Sequence, residues 1–192
     1  MFFENIDPAC PLVWTVENVL NPAECAAMIQ RIEDAGCSAA PITTARGFEM
    51  RPDIRNNSRA IIDDPALAAE LFRRVEGVVP RLFRGNVASG ANERFRCYRY
   101  EPGQRFAMHG DGAFVRDNRE RSFLTFMVYL NEGFEGGETL FLEPKTTIVP
   151  KAGMALLFQH PLLHEGCEVT SGVKYVLRSD VMYRKAAPPL VS

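Results

Sequence analysis

The sequence predicts a mainly β fold with supporting helices, and three observations carry that prediction. Two stretches with helical apolar spacing and clear start signals occupy the first part of the chain. Beyond Asn92 the apolar period switches from about 3.6 to 2. The strand-like segments that follow are short and separated by glycine-containing turns. Helices first and many turn-punctuated strands after is the order of a double-stranded β-helix, a jelly roll of the cupin type with N-terminal helices packed on its major sheet.

In chain order, residues 12–16 read as a short strand. Asn21-Pro22-Ala23-Glu24 then starts a helix, with Asn as N-cap, Pro at the first helical position and Glu three after the cap. Cys25, Met28, Ile29 and Ile32 form one apolar stripe, and Gly36 is its stop. Residues 39–59 carry Pro41, Gly47, Pro52 and a polar run through Ser58, so a long loop is expected. With Arg46, Arg51, Arg55 and Arg59 beside Asn56 and Asn57, it reads either as a solvated loop or as one that closes over a polar substrate. Asp64-Pro65 starts a second helix, with Leu67, Ala68, Leu71, Phe72 and Val75 on one side, fading near Gly77 and Pro80. Strands are then expected over 94–100, 123–130 (apolar on both faces), 138–142, 154–158 and 173–183, and a frayed tail over 186–192. One domain spanning 1–192 follows, with 1–90 as helical support and substrate loop and 91–185 as the jelly-roll core.

Composition narrows the function. The chain has 192 residues, 46 % hydrophobic and 24 % charged, with a formal net charge of −2, so nothing global draws it to nucleic acid or an anionic membrane. No apolar run approaches the roughly 20 residues needed to span a bilayer, and the N-terminus Met1-Phe2-Phe3-Glu4-Asn5 has no basic n-region, so the cytoplasm is the expected location. The five cysteines (Cys10, Cys25, Cys37, Cys97 and Cys167) are odd in number and scattered, which points to reduced, mostly buried thiols.

Chemistry concentrates at Met108-His109-Gly110-Asp111-Gly112. Residues two apart in an extended chain share a face, so His109 and Asp111 can grip one ion. The same pair also fits a hydrogen-bonded strand end. A third imidazole from a distant strand would complete a 2-His-1-carboxylate face with open positions opposite, the arrangement of non-haem Fe(II) oxygenases. The chain has three histidines, and the other two, His160 and His164, stand together after the 154–158 strand.

Here the sequence closely resembles the Fe(II)- and 2-oxoglutarate-dependent dioxygenases, in their prolyl 4-hydroxylase-like branch. The matching residues are Tyr98-Arg99-Tyr100-Glu101-Pro102-Gly103-Gln104-Arg105-Phe106 leading into His109-Gly110-Asp111, Thr125 through Tyr129-Leu130-Asn131, Phe134-Glu135-Gly136-Gly137-Glu138-Thr139, and Pro150-Lys151-Ala152-Gly153. The resemblance implies iron ligands His109, Asp111 and His164, with Lys174 partnering the distal carboxylate of 2-oxoglutarate and Tyr129 donating to the same group. It further implies Tyr100 near the metal end of the co-substrate, Tyr98 on its face, and Thr125 and Met127 lining the pocket. The implied activity couples decarboxylation of 2-oxoglutarate, with O2, to hydroxylation of a C–H bond, and binding of ascorbate is a further expectation. A carboxylate at Asp111 leaves no site for halide and favours hydroxylation over halogenation.

Three points stay open on sequence alone. His160 competes with His164 for the third ligand position, although Glu165-Gly166 and the spacing to Lys174 favour His164. Arg178 shares the Lys174 face and is either an alternative carboxylate anchor or part of an ion pair with Asp180. The prime substrate is a protein side chain such as prolyl or a small metabolite, and the arginines at 46–59 with Arg94, Arg96, Arg99 and Arg105 hint at an anionic one. The competing readings are a cupin-type metalloenzyme that takes no 2-oxoglutarate and a scaffold that binds without turnover.

Overall fold

A computed structural model describes residues 6–44, 46–117 and 120–186. Helix α1, Pro22–Ala35, begins where expected: the Asn21 side chain accepts from the Glu24 N–H at 2.9 Å and the Glu24 carboxylate accepts from the Asn21 N–H at 2.8 Å, closing a capping box. Helix α2, Pro65–Val75, is capped by Asp64, which accepts from the Leu67 N–H at 2.9 Å. Arg74 of α2 ties the helices together, reaching both Glu24 carboxylate oxygens and the Val19 carbonyl.

The major sheet is antiparallel, with strands in the order Val13–Val16, Ala155–Gln159, Glu120–Tyr129, Lys174–Lys185, Arg94–Tyr100, Ser58–Asp63 and Ser38–Ala39. Alternation along it sorts side chains into two cores. Phe95, Cys97, Phe126, Val128, Leu177 and Val181 face the helices and pack with Ile32, Leu71 and Val75. Tyr98, Tyr100, Met127, Tyr129 and Val176 face the other way and pack with Phe141, Leu156 and Phe158. Over that inner face lies a second sheet in the order Thr146–Ile148, Thr139–Phe141, His164–Gly166 and Phe106–His109. Two antiparallel sheets face to face, with helices outside the larger one, make the expected jelly roll.

The first ninety residues contribute more than helices. The stretch expected to be a loop holds a hairpin, Ile42–Thr44 with Gly47–Glu49, and opens into Ser58–Asp63, which pairs with Arg94–Tyr100 along its whole length. Asn86–Ala91 pairs with the far half of Lys174–Lys185. The division near residue 90 is therefore not a structural boundary, because strands before it hydrogen-bond to strands after it. Cys25 and Cys97 are buried while Cys10, Cys37 and Cys167 are half-buried, fewer buried thiols than expected. Residues 1–5 lie outside the described residues, as does, from 187 on, the tail expected to fray. Among the described residues no helix is long and apolar enough to cross a membrane.

One turn locks the helical layer to the sheets. Gly153, with φ +77°, accepts the Val19 and Leu20 N–H groups at 2.8 and 3.2 Å and donates to the Tyr129 carbonyl at 2.8 Å. A Cβ there would lie 2.0 Å from the Leu20 carbonyl oxygen. Gly153→Ala is expected to cost at least about 2 kcal/mol from strain and clash, lowering Tm by roughly 4–8 °C. Gly77→Ala, where a Cβ meets nothing within 4 Å, is the control and should stay within about 0.5 kcal/mol.

Candidate active site

The two sheets meet around His109, the last residue of Phe106–His109, and His164, the first of His164–Gly166. Antiparallel register sets them directly opposite each other, with ring centroids 4.3 Å apart. Phe106 stacks on the His109 ring at 3.5 Å, and Phe158 meets the His164 ring edge-on at 4.5 Å. The Nδ1 atoms lie 2.8 Å from the Ala107 carbonyl and 2.9 Å from the Leu162 carbonyl. A carbonyl only accepts, so both Nδ1 atoms carry the proton and both Nε2 lone pairs are free.

Asp111 follows two residues after His109 and is oriented by its N–H, which donates to the His160 carbonyl at 2.8 Å. Its carboxylate oxygens stand 3.7 Å from His109 Nε2 and 3.8 Å from His164 Nε2. One ligand atom from each of His109, Asp111 and His164 falls within 4.8 Å of the others. Burial, with His164 alongside, pulls His109 down to about 4, and burial also lowers His164, so both rings are neutral near pH 7. Burial would raise the Asp111 carboxyl, but the Arg178 guanidinium and the imidazoles outweigh it and hold it below the usual carboxylate range. Two neutral imidazoles and one ionised carboxylate on a common point are a donor set that fits a divalent Fe, Co or Zn ion, with positions left open.

Arg178, on Lys174–Lys185, reaches Asp111 Oδ2 at 3.0 Å and Asp180 at 3.4 Å. Its guanidinium is therefore committed at the ligand end of the pocket, which removes it as an alternative to Lys174 and makes it an ion-pair partner of Asp111 as well as of Asp180. Thr125 Oγ1 donates to the same Asp111 oxygen at 2.6 Å. Since that uses the one hydroxyl proton of Thr125, His160 Nδ1, 2.9 Å away, must donate to it. His160 Nε2 then accepts from Ser122 at 2.7 Å, and Ser122 accepts from the Phe114 N–H at 2.8 Å. His160 is thus no part of the three-ligand cluster: Nδ1 holds Thr125, which holds Asp111, and Nε2 is taken by Ser122. His160→Ala is expected to weaken binding of a divalent metal by about 10–100-fold, read by titration of the metal-free protein.

Away from the ligands, the pocket runs to Lys174. This residue is 2 % exposed, and its ammonium donates to the Gly137 carbonyl at 2.5 Å. It stands 5.2 Å from the Tyr100 ring and 5.5 Å from the Tyr129 ring. Among the described residues no carboxylate forms an ion pair with it, and burial brings it down to about 8. A desolvated cation with two donor positions to spare fits a carboxylate. Tyr129 OH is 2.7 Å from Thr139 Oγ1, and Thr139 lines the pocket, a residue the sequence reading did not single out. Met127 lines it as well. Register places Tyr100 opposite Lys174, whereas Tyr98 has Arg178 as its main charged neighbour. Both tyrosines line the pocket that holds Asp111.

The arginines divide. Arg51 pairs with Asp53, Arg94 with Asp63, and Arg99 with Glu33 and Glu101, all toward solvent. Arg55, Arg59, Arg96 and Arg178 instead converge around Tyr98.

Residues 95–179 match the model of the 2OG-Fe(II) oxygenase superfamily. The chain is 35 % identical to a PKHD-type hydroxylase of Parvibaculum lavamentivorans over 129 residues, which cover 62 % of this chain and 55 % of that protein. It therefore spans about half the length of that curated relative. Among solved structures it resembles a viral collagen prolyl hydroxylase from Paramecium bursaria Chlorella virus-1 in complex with 2-oxoglutarate, with TM-score 0.62 and 21 % identity over 90 % of this chain and 96 % of that one. It also resembles a prolyl hydroxylase of Trichoplax adhaerens bound to a peptide fragment of hypoxia inducible factor, with TM-score 0.64 and 19 % identity over 88 % of this chain and 82 % of that one. Over residues 95–179 the chain is thus similar to the 2OG-Fe(II) oxygenase superfamily, whose members take Fe(II), 2-oxoglutarate and O2, and its likeness runs to prolyl 4-hydroxylase-like proteins.

Proposed function

We propose that this protein is an Fe(II)- and 2-oxoglutarate-dependent hydroxylase. The observation that carries the reading is a single pocket with three ligand atoms at one end and, at the other, the buried ammonium of Lys174 with no carboxylate partner among the described residues. His109, Asp111 and His164 would hold the iron, and Lys174 the distal carboxylate of 2-oxoglutarate, with the Tyr129–Thr139 hydroxyl pair beside it. When bound, Fe(II) with 2-oxoglutarate and O2 supplies the oxidant that converts a C–H bond to C–OH, 2-oxoglutarate leaving as succinate and CO2. The residues do the rest: Thr125 and Arg178 fix the Asp111 carboxylate, Lys174 orients the co-substrate, and Met127, Phe158 and Val176 keep water from the pocket wall. A prolyl residue in a peptide and a small metabolite both remain within the class, the former having a precedent in the Trichoplax complex.

The test is binding before turnover. Without oxygen, protein given Fe(II) and 2-oxoglutarate should develop a weak visible charge-transfer band that His109→Ala abolishes; with O2 and ascorbate, succinate should be released. Metal binding with no 2-oxoglutarate binding would replace this reading by a cupin-type metalloenzyme of another kind.

A further inference from the structure

Arg55 is 5 % exposed, yet among the described residues no carboxylate pairs with it. Two rings that line the pocket pack against it, Tyr98 and Phe106, each with its centroid 4.4 Å from the guanidinium carbon. One edge is used, Nε donating to the neutral Asn57 amide at 2.7 Å. Nη2 is buried with no partner. A planar fork packed against two rings, with one edge occupied, keeps unused donor capacity at Nη2.

The surrounding charge does not balance either. Arg59 pairs in register with Tyr98 and has no carboxylate partner among the described residues. The nearby carboxylates are engaged elsewhere, Asp180 with Arg96 and Arg178, and Asp111 with Arg178 and Thr125. Burial raises the Tyr98 phenol, but Arg178, Arg55 and Arg96 outweigh it and lower it, as concentrated positive charge would. Leaving a buried charge uncompensated is costly, so such a group is expected to meet a counter-charge in the working state. 2-Oxoglutarate does not supply it, since its distal carboxylate is assigned to Lys174 beside Tyr100.

We propose that Arg55, assisted by Arg59, is the binding site for a carboxylate of the prime substrate, and hence that the enzyme acts on carboxylate-bearing molecules. The inference rests on the hydroxylase reading and deepens it by naming the substrate class. The carboxylate is that of a free acid or of a peptide terminus, chemistry that Arg55 reads alike.

The test uses matched probes on the oxygen-free Fe(II)–2-oxoglutarate complex: N-acetyl amino acids and acetylated tripeptides, each as the acid and as the carboxamide, titrated calorimetrically. At least one acid should bind about 10–100-fold more tightly than its amide, the range of a charge-assisted hydrogen bond, and whether it is a single residue or a tripeptide identifies the source. Arg55→Gln should erase the preference and Arg55→Lys retain part of it, both binding 2-oxoglutarate normally. If no acid outbinds its amide, or the preference survives Arg55→Gln, the proposal is overturned. The wild-type comparison needs no variant to fold, and loss of 2-oxoglutarate binding in the wild type would overturn the underlying reading instead.

Discussion

Lys174→Ala is expected to weaken 2-oxoglutarate binding by roughly two to three decades. In the free protein the ammonium is desolvated and has one carbonyl for a partner, so a co-substrate carboxylate that meets it forms a buried ion pair with little further desolvation of the lysine. Removing one member of such a pair costs roughly 3–5 kcal/mol, and about 1.4 kcal/mol is a decade. The measurement is a titration of the charge-transfer band in the oxygen-free Fe(II) protein. Iron binding should be unchanged, because Lys174 is not in the His109–Asp111–His164 cluster. Unaltered 2-oxoglutarate affinity would show that the anchor lies elsewhere.

The same residue sets a pH dependence. Burial lowers Lys174 to about 8, and the charged form is the one that binds a dianion. Affinity should be flat below that pH, where the ammonium is already present. Above it, each further unit should cost about tenfold, because a proton must be taken up on binding. Lys174→Arg, which stays charged throughout, should remove the alkaline limb even if it binds more weakly overall.

How much of this was legible in the sequence depends on how far each feature reaches along the chain. Local features read well: Asn21 and Asp64 announce their helices, and the period-two relation of His109 to Asp111 needs only an extended backbone. Features made by pairing between distant strands did not. Ser58–Asp63 is polar at both ends and becomes a strand through its partner Arg94–Tyr100. Asn86–Ala91 is made of small residues with no alternation to detect. The reading of His164 over His160 is supported by register, His164 lying opposite His109. Arg178 could be placed on the Lys174 face by counting, but its partner Asp111 comes from another strand's end. Arg55 was one of several arginines in a polar run, and only the approach of Tyr98 and Phe106 sets it apart.

Asp111→Ala is expected to abolish metal binding and, separately, to destabilise the metal-free protein. The first effect follows from losing the only anionic ligand, leaving two neutral imidazoles; it should exceed the roughly 10–100-fold typical of a residue behind the ligands, such as His160. The second follows from the neighbours. Arg178 would lose its nearer carboxylate and keep Asp180 at 3.4 Å, and the Thr125 hydroxyl would lose its acceptor, a change that costs about 3–5 kcal/mol where a buried pair is broken. Asp111→Asn separates the two, since it retains volume and an acceptor for Thr125 while removing the charge. Thermal unfolding with and without Mn(II) reads both. The wild type should gain about 2.7 kcal/mol at a metal concentration 100 times Kd, or roughly 5–10 °C in Tm. Both variants should show no metal-dependent shift, with Asp111→Ala starting from the lower baseline. A metal-dependent rise retained in Asp111→Ala would remove this carboxylate from the ligand set and shift attention to Asp180, the other buried carboxylate beside Arg178.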